Sequence, residues 1–236
     1  MRPRKESPET LFRKSNGYSQ ESVTSECWKD IFERLFALLM LVILSPFLAL
    51  IAIMVRLDSP GSALFCQERV GKNGRRFMLY KFRSMYKNND DSKYKAFLRR
   101  YVLENLPSPL DNNGQDIYEL VRDPRVTRFG LLLRETNLDE LHQLVNVLKG
   151  DMALIGPRPD IPFMVEMYKE YHRNRLRVKP GMTGLWQVSG RRNLSFEDMV
   201  RLDIEYINRQ SLLMDAKIML LTIREVFTRK GQWQRN

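Results

Sequence analysis

Between Leu35 and Val55 the chain is apolar and uncharged, with a single interruption at Ser45-Pro46. About 20 apolar residues cross a bilayer as one helix, so this run is long enough to enter one. Pro46 removes a helical hydrogen bond and crowds the turn before it, which predicts a helix over 26–56 broken near its middle. The carbonyl left free needs another partner, such as the Ser45 hydroxyl. Lys29 and Arg34 precede the run and Arg56 follows it, so both flanks favour the cytoplasm. A re-entrant helix bent at Ser45-Pro46 satisfies both flanks; a bitopic span with a tolerated proline is the alternative. The run is not a signal peptide, because it is too long for an h-region and no small-x-small site follows Val55.

Around this run the pattern changes. Residues 1–25 are polar and non-periodic, a disordered tail. Two β-prone stretches, Ala63–Val70 and Arg75–Phe82, flank Gly71-Lys-Asn-Gly74 and predict a hairpin. Its second arm ends in Lys81-Phe-Arg-Ser-Met85, whose alternation sends Lys81 and Arg83 to one strand face. A charged amphipathic helix is expected over 91–106, a loop over 107–116, and an interruption at Asp123-Pro124 before apolar Val126–Leu133. Helices are predicted over 138–149, 161–174 and 195–209. In the last stretch, 211–229, Leu212, Leu213, Ala216, Met219, Leu220, Ile223, Val226 and Phe227 share a broad face. That face can close a core or lie on a bilayer, and the core is the usual place. The fold class is therefore α/β, mostly helical and membrane-associated: a membrane helix over 26–56, then one domain over 57–236. About 180 residues outside the tail and apolar run suffice for one core.

Charge narrows the partners. With 39 Lys+Arg against 28 Asp+Glu the net charge is +11, which favours anionic partners. Nucleic acid lacks support, since no zinc pattern, helix-turn-helix or aromatic RNA motif is present. The apolar run turns the reading toward lipid headgroups and phosphorylated substrates. Cys27 and Cys66 form neither a disulfide framework nor zinc-ligand spacing, in keeping with a reducing cytoplasm.

The candidate chemistry centres on Arg134-Glu-Thr-Asn-Leu-Asp-Glu-Leu-His142. If a helix opens at 138, capped by Thr136 or Asn137 and closed by Gly150, then Leu138, Leu141, Leu144, Val145 and Leu148 form its buried stripe. Asp139 and Glu140 then sit exposed in its first turn, where acidic residues are also ordinary helix-start chemistry. The neighbouring cations make the pair more than that. Arg134 precedes it, Gly156-Pro-Arg-Pro159 follows, and Lys179-Pro-Gly-Met-Thr-Gly-Leu-Trp-Gln-Val-Ser-Gly-Arg191 comes later. Prolines hold Arg158 in a rigid loop, so it loses less entropy on gripping a phosphate. Carboxylates for a divalent metal beside arginines for phosphate oxygens suit phosphoryl transfer. A glycosidase fits poorly, because adjacent carboxylates on a helix do not flank one bond from opposite sides.

These motifs, together with Asp123-Pro-Arg125 and Asn146-Val-Leu-Lys-Gly-Asp-Met152, resemble the bacterial sugar transferase family over about residues 28–231. That family comprises monotopic polyprenyl-phosphate phosphoglycosyl transferases. The chain departs from the common pattern at Asn137, where serine is usual, and at His142, where proline is usual. The resemblance implies transfer of a sugar 1-phosphate from a UDP-sugar to polyprenyl (undecaprenyl) phosphate with release of UMP, initiating glycoconjugate or exopolysaccharide synthesis. It implies Asp139 as the nucleophile of a covalent phosphosugar intermediate, and Asp139 and Glu140 as ligands of Mg²⁺. Arg134, Arg158 and Arg191 match phosphate-binding positions, while Lys81 and Arg83 are assigned to the incoming polyprenyl phosphate. It also implies a re-entrant helix in the lipid of the bacterial inner membrane, a catalytic domain on the cytoplasmic face, and downstream glycosyltransferases as partners. A homodimer would use 91–122 or the last helix. No further N-terminal membrane domain is expected, as in the minimal catalytic form. A catalytically idle scaffold is the rival reading, opposed by the intact acidic pair and arginines.

Other residues have plainer readings. His142 is expected to pack on a helix, and His172 to be solvated among cations. Trp186 belongs to the core, the nucleotide or the membrane interface, and Trp233 to that interface. Arg173, Arg175, Arg177 and Lys179 face lipid or solvent.

Overall fold

The computed structural model describes residues 20–86, 92–105, 125–189 and 194–228. Helix α1 (Gln20–Asp58) is 39 residues long with Pro46 inside it. It starts before the expected position 26 and stays helical through the proline, which corrects the expected break. Ser45 Oγ donates at 2.8 Å to the Val42 carbonyl, the acceptor that Pro46 cannot bond. The segment Trp28–Asp58 is long and apolar enough to cross a membrane.

One face of α1 is protein core. Ala37, Leu41, Leu44, Leu48, Ile51 and Val55 recur every three or four residues and pack against the domain. The opposite face carries large apolar side chains in the open, among them Phe32, Leu35, Leu39, Val42, Ile43, Leu50, Ile53 and Leu57. Both ends of the helix are tied down. Lys29 Nζ lies 2.6 Å from Asp215 Oδ2, and Asp30 pairs with Lys179. At the other end Asp58 Oδ2 accepts from the Phe129 N–H at 3.2 Å.

The predicted hairpin is present: β1 (Leu64–Val70) pairs antiparallel with β2 (Arg76–Phe82), with Leu64 opposite Phe82 and Val70 opposite Arg76. Asn73 and Gly74 take the positive φ of the turn, at 57° and 79°. Helix α2 (Ser92–Leu103) matches the amphipathic expectation. Residues 107–116, Asp123-Pro124 and Gly190-Arg191 lie outside the described residues. Next come α3 (Arg128–Thr136) and α4 (Gln143–Lys149), where the sequence suggested one helix over 138–149. Fully buried Asn146 docks α4 on the hairpin. Its side-chain amide donates to the Met78 carbonyl at 2.7 Å and accepts from the Tyr80 N–H at 3.0 Å, standing in for a neighbouring strand.

A short parallel pair, β3 (Ala153–Ile155) and β4 (Gly181–Thr183), holds the loop between them. A Cβ on Gly181 would run into the Gly156 backbone, so the close approach requires glycine. The helix expected over 161–174 divides into α5 (Pro162–Glu166) and a 3₁₀ segment, Tyr171–Arg177. The Lys169 N–H, which a continuous helix would turn to Val165, bonds the His172 Nδ1 instead at 3.0 Å. Helix α6 (Leu185–Val188) precedes α7 (Phe196–Arg209), whose Ser195 cap accepts from the Asp198 N–H. Phe97, Leu98 and Tyr101 of α2, Met164 and Val165 of α5, Trp186 of α6, and Phe196 and Val200 of α7 form a second core. Trp186 is thereby a core residue.

Helix α8 (Leu212–Thr228) reverses the expected orientation. Ile218 and Asp215 turn inward, while Leu212, Leu213, Leu220 and Ile223 stay exposed. The inward side is held by polar contacts, Asp215 with Lys29 and Tyr206, and Thr222 Oγ1 with Thr183 Oγ1 at 2.8 Å. The apolar face is left outside.

His172 is fully buried rather than solvated. Its Nδ1 accepts from Lys169 and its Nε2 sits 3.2 Å from Glu197 Oε1, which requires the neutral Nε2–H tautomer. Burial, then Lys169 and Arg175, lower its pKa from 6.5 to about 4. The unfolded chain therefore takes up the proton first, and the stability present above pH 6.5 is lost as the pH falls toward 4. Thermal unfolding should show a loss of about 2 kcal/mol between pH 7 and 5 from this group. His172→Gln should flatten that acid limb; an unchanged slope would remove His172 as its source.

Candidate active site

Asp139 and Glu140 lie in a 3₁₀ turn, Leu138–Glu140, not in the first turn of a helix. Asn137 makes the difference. At φ 54° it is left-handed, and its N–H closes α3 on the Arg134 and Leu133 carbonyls. Neither expected cap is made: Asn137 has no side-chain cap bond, and Thr136 Oγ1 donates back to the Leu132 carbonyl at 2.7 Å. Asp139 is consequently buried, only 7% exposed, where an exposed position was expected.

Four cations surround this turn, each from a different element. Lys81 comes from the end of β2, Arg134 from the last turn of α3, Arg158 from the loop after β3, and Arg69 from β1. Arg158 makes two bonds to Glu140, Nη2 to Oε1 at 2.5 Å and Nη1 to Oε2 at 3.3 Å. Arg134 Nε donates to Ser84 Oγ at 2.9 Å. Arg69 donates to the Pro159 carbonyl at 3.0 Å and to Gln67 Oε1 at 2.7 Å, bracing the loop that carries Arg158. Lys81 Nζ lies 5.4 Å from the Phe65 ring centroid.

The electrostatics follow from crowding. Burial, then the adjacent Glu140, raise the Asp139 pKa to about 6, against the pull of Lys81, Arg134 and Arg158. Burial lowers Lys81 to about 8, with Asp139 acting in the opposite sense. Arg69 is lowered by burial and then by Arg158, while Glu140 raises Arg158. Two carboxylates facing four cations leave an excess of positive charge, suited to an anion carrying several charges such as a diphosphate.

Behind the site, Arg175 is buried. It donates to Asp203 Oδ2 at 2.7 Å, Asp160 Oδ2 at 2.5 Å and Tyr168 OH at 2.8 Å, and reaches the Arg158 carbonyl at 3.3 Å. This corrects the placement of Arg175 on a lipid-facing or solvated cluster. The orientation of Arg158 rests on that buried group.

One sequence-based assignment changes. Arg83 is turned away to the end of α1, where it donates to the Pro60 carbonyl at 2.7 Å, Ser59 at 2.6 Å and Val55 at 3.3 Å. It caps a helix instead of meeting a substrate. Arg191 lies outside the described residues. Arg69 was missed, although the hairpin register finds it: Phe65 pairs with Lys81, so Phe65, Gln67 and Arg69 share the Lys81 face.

The donor set also bears on Mg²⁺. Among the described residues no three His, Cys, Asp or Glu side chains gather as a metal site. Magnesium is commonly held by one or two carboxylates plus phosphate oxygens and water. Asp139 and Glu140 fit such an ion when it arrives with a diphosphate, which also balances the surrounding cations.

Comparison with known proteins decides the family. The description "Bacterial sugar transferase" matches residues 24–229. The chain belongs to the bacterial sugar transferase family. Within that family it is 40% identical over 215 residues to the galactosyl transferase CpsE of Streptococcus agalactiae, covering 91% of this chain and 44% of that protein. It is 37% identical over 223 residues to the undecaprenyl-phosphate galactose phosphotransferase of Salmonella typhimurium, covering 94% and 45%. It is also 37% identical over 205 residues to the exopolysaccharide production protein ExoY of Sinorhizobium fredii, covering 87% and 88%. The chain thus spans less than half of the first two relatives and most of the third.

The revised assignment of Arg83 is directly testable in this member of the family. Arg83→Ala should lower stability by about 2–3 kcal/mol in denaturant or thermal unfolding, since buried carbonyls lose their donor. It should leave polyprenyl phosphate binding by the folded protein unchanged, where a substrate cation at that position would weaken it. Arg134→Ala should weaken UDP binding in calorimetric titration, where Arg83→Ala does not.

Proposed function

We propose that this chain transfers a sugar 1-phosphate from a UDP-sugar to polyprenyl phosphate, opening the assembly of a bacterial polysaccharide. The observation that carries the reading is Asp139, a buried carboxylate facing Lys81, Arg134 and Arg158. A carboxylate at such a place attacks phosphorus without a general base, because its ionised form already carries the electron pair.

The steps balance as two displacements. An Asp139 oxygen bonds to the sugar-bearing phosphorus, and the bond from that phosphorus to the bridging oxygen breaks, so UMP leaves with the electron pair. An oxygen of polyprenyl phosphate then attacks the same phosphorus, and the Asp139–phosphorus bond breaks. The products are a polyprenyl diphosphate sugar and a restored carboxylate. Arg134 and Arg158 hold the non-bridging oxygens and Lys81 offsets charge developing beside Asp139. When bound by Asp139 and Glu140, Mg²⁺ would supply further charge neutralisation on the diphosphate. The names of relatives support a polyprenyl phosphate acceptor and a sugar donor: one is called an undecaprenyl-phosphate galactose phosphotransferase, another an undecaprenyl-phosphate glucose phosphotransferase.

The placement in the membrane follows the same reading. Both ends of α1 are fastened to one polar domain, through Lys29 with Asp215 and through Arg83 with Val55, Ser59 and Pro60. A helix so fastened favours entering and leaving one leaflet over crossing to the far side. The exposed apolar faces of α1 and α8 then meet lipid on the cytoplasmic side of the inner membrane, which brings a soluble nucleotide sugar and a lipid phosphate to one site. Downstream glycosyltransferases would extend the product.

The deciding assay is UMP release by protein in nanodiscs with Mg²⁺ and a panel of UDP-hexoses and UDP-N-acetylhexosamines, with and without polyprenyl phosphate. Turnover should require the lipid, and radiolabelled donor should mark the protein covalently when lipid is withheld. Asp139→Asn should abolish both; turnover surviving in that variant would sink the covalent route. Arg158→Lys, which cannot make the paired bonds, should slow turnover about 100-fold.

A further inference from the structure

Beside the Asp139 turn, α1 and the approach to β1 enclose a groove of 570 Å³ whose walls include Leu48, Ala49, Ala52 and Arg56 of α1, Ala63, and His142. Ligand pockets commonly fall in the range of roughly 300–1,000 Å³, so the space is adequate for a segment of a large ligand. Its floor belongs to the apolar part of α1 that follows Pro46. Along most of that helix the exposed positions carry Leu, Ile, Val or Phe. In the groove three alanines, Ala49, Ala52 and Ala63, hold the space open. From Leu48 to Arg56 the floor runs about 12 Å along the helix axis.

The polar groups of the groove are few. Arg56 is exposed and makes no ion pair among the described residues. His142, three positions after Asp139, presses its ring edge-on against Phe82 at 4.3 Å, and its Nδ1 is buried with no hydrogen-bond partner. A groove with an apolar floor drawn from a membrane helix, one exposed cation and the Ser62 hydroxyl at its edge suits an amphiphile with a single anionic head. It does not suit a nucleotide sugar, which is polar along its whole length and would leave its hydroxyls unpaired over Leu48 and the alanines.

We propose that this groove seats the head-proximal isoprene units of the polyprenyl phosphate acceptor, with Arg56 holding its phosphate near the Asp139 turn and the His142 ring forming part of the wall. The assignment rests on the transfer reaction proposed above and gives its two substrates separate approaches. The nucleotide sugar meets the cations Arg134 and Arg158, and the lipid arrives along α1.

Two measurements test it. A diazirine-bearing isoprenoid phosphate should cross-link to the peptide containing Leu48–Arg56, and be displaced by undecaprenyl phosphate but not by equal phosphatidylglycerol. Equal displacement by both lipids would overturn the proposal in favour of bulk lipid, as would cross-linking confined to other segments. In kinetics, Ala49→Phe, which fills the floor at an exposed position, and Arg56→Gln should each raise KM for polyprenyl phosphate about tenfold. Covalent labelling by radiolabelled UDP-sugar without lipid is followed in parallel. Normal labelling with an unchanged acceptor KM in both variants would refute the groove alone. Absence of labelling and turnover in the parent protein with every donor would instead refute the transfer reading on which it rests.

Discussion

A buried guanidinium organises the half of this molecule that carries the candidate site. Arg175 is nearly inaccessible to water, and a charge so placed survives only if it is neutralised and its donors are used. Asp160, Asp203 and Tyr168 meet that requirement, and in doing so they bind the Arg158 loop, α7 and the 3₁₀ segment into one unit. The bond from Arg175 to the Arg158 carbonyl passes that rigidity to the residue gripping Glu140. Arg69 braces the same loop from the hairpin side through the Pro159 carbonyl. The candidate site is therefore assembled from elements distant in sequence, yet each of its cations stands on a braced backbone.

The second constraint is the sharing of α1 between protein and lipid. A helix apolar all round has no polar face to turn to water, so both of its sides need apolar surroundings. Here one stripe is filled by Phe77, Leu79, Leu144 and Val147 toward its start and by Phe82 and Leu133 toward its end. The other side suits a bilayer. Because the strands and turns of the site grip the same helix, Asp139 stands at a fixed height from whatever covers the exposed face of α1.

Much of the fold was readable where a single local rule governs. The hairpin followed from β-prone stretches around Gly71–Gly74, α7 was expected over 195–209, and the Ser45 bond followed from the acceptor that Pro46 leaves over. The failures came where tertiary contacts outrank local pattern. A helix from 138 was a reasonable reading of the leucine spacing, but Asn137 takes a left-handed conformation and pulls the acidic pair into a buried turn. Arg83 reads as a substrate cation by strand alternation, and only the folded chain reveals three helix-end carbonyls within its reach. In α8 the apolar stripe misled because Asp215 and Thr222 find buried polar partners, and those fix which side faces in. His172 sits among cations in sequence while its ring is enclosed by Tyr168, Tyr171 and Phe196 in space. For the site the acidic pair and three of the cations were legible; the role of Arg69 required the register.

The double-faced helix has a consequence in time as well as in space. Chains are made from the N-terminus, so α1 leaves the ribosome before β2, α3 or α4 exists to cover its inner stripe. During that interval Ala37, Leu41, Leu44, Leu48, Ile51 and Val55 have no protein partner. They are of the same apolar type as the residues on the outer face, and lipid can hold them until the hairpin and α4 arrive. Folding of the domain therefore includes replacing whatever first covers that stripe with Phe77, Leu79, Leu144 and Val147. Cutting α1 away would not release a soluble catalytic unit; it would strip Phe77, Leu79, Phe82, Leu133, Leu144 and Val147 of their cover.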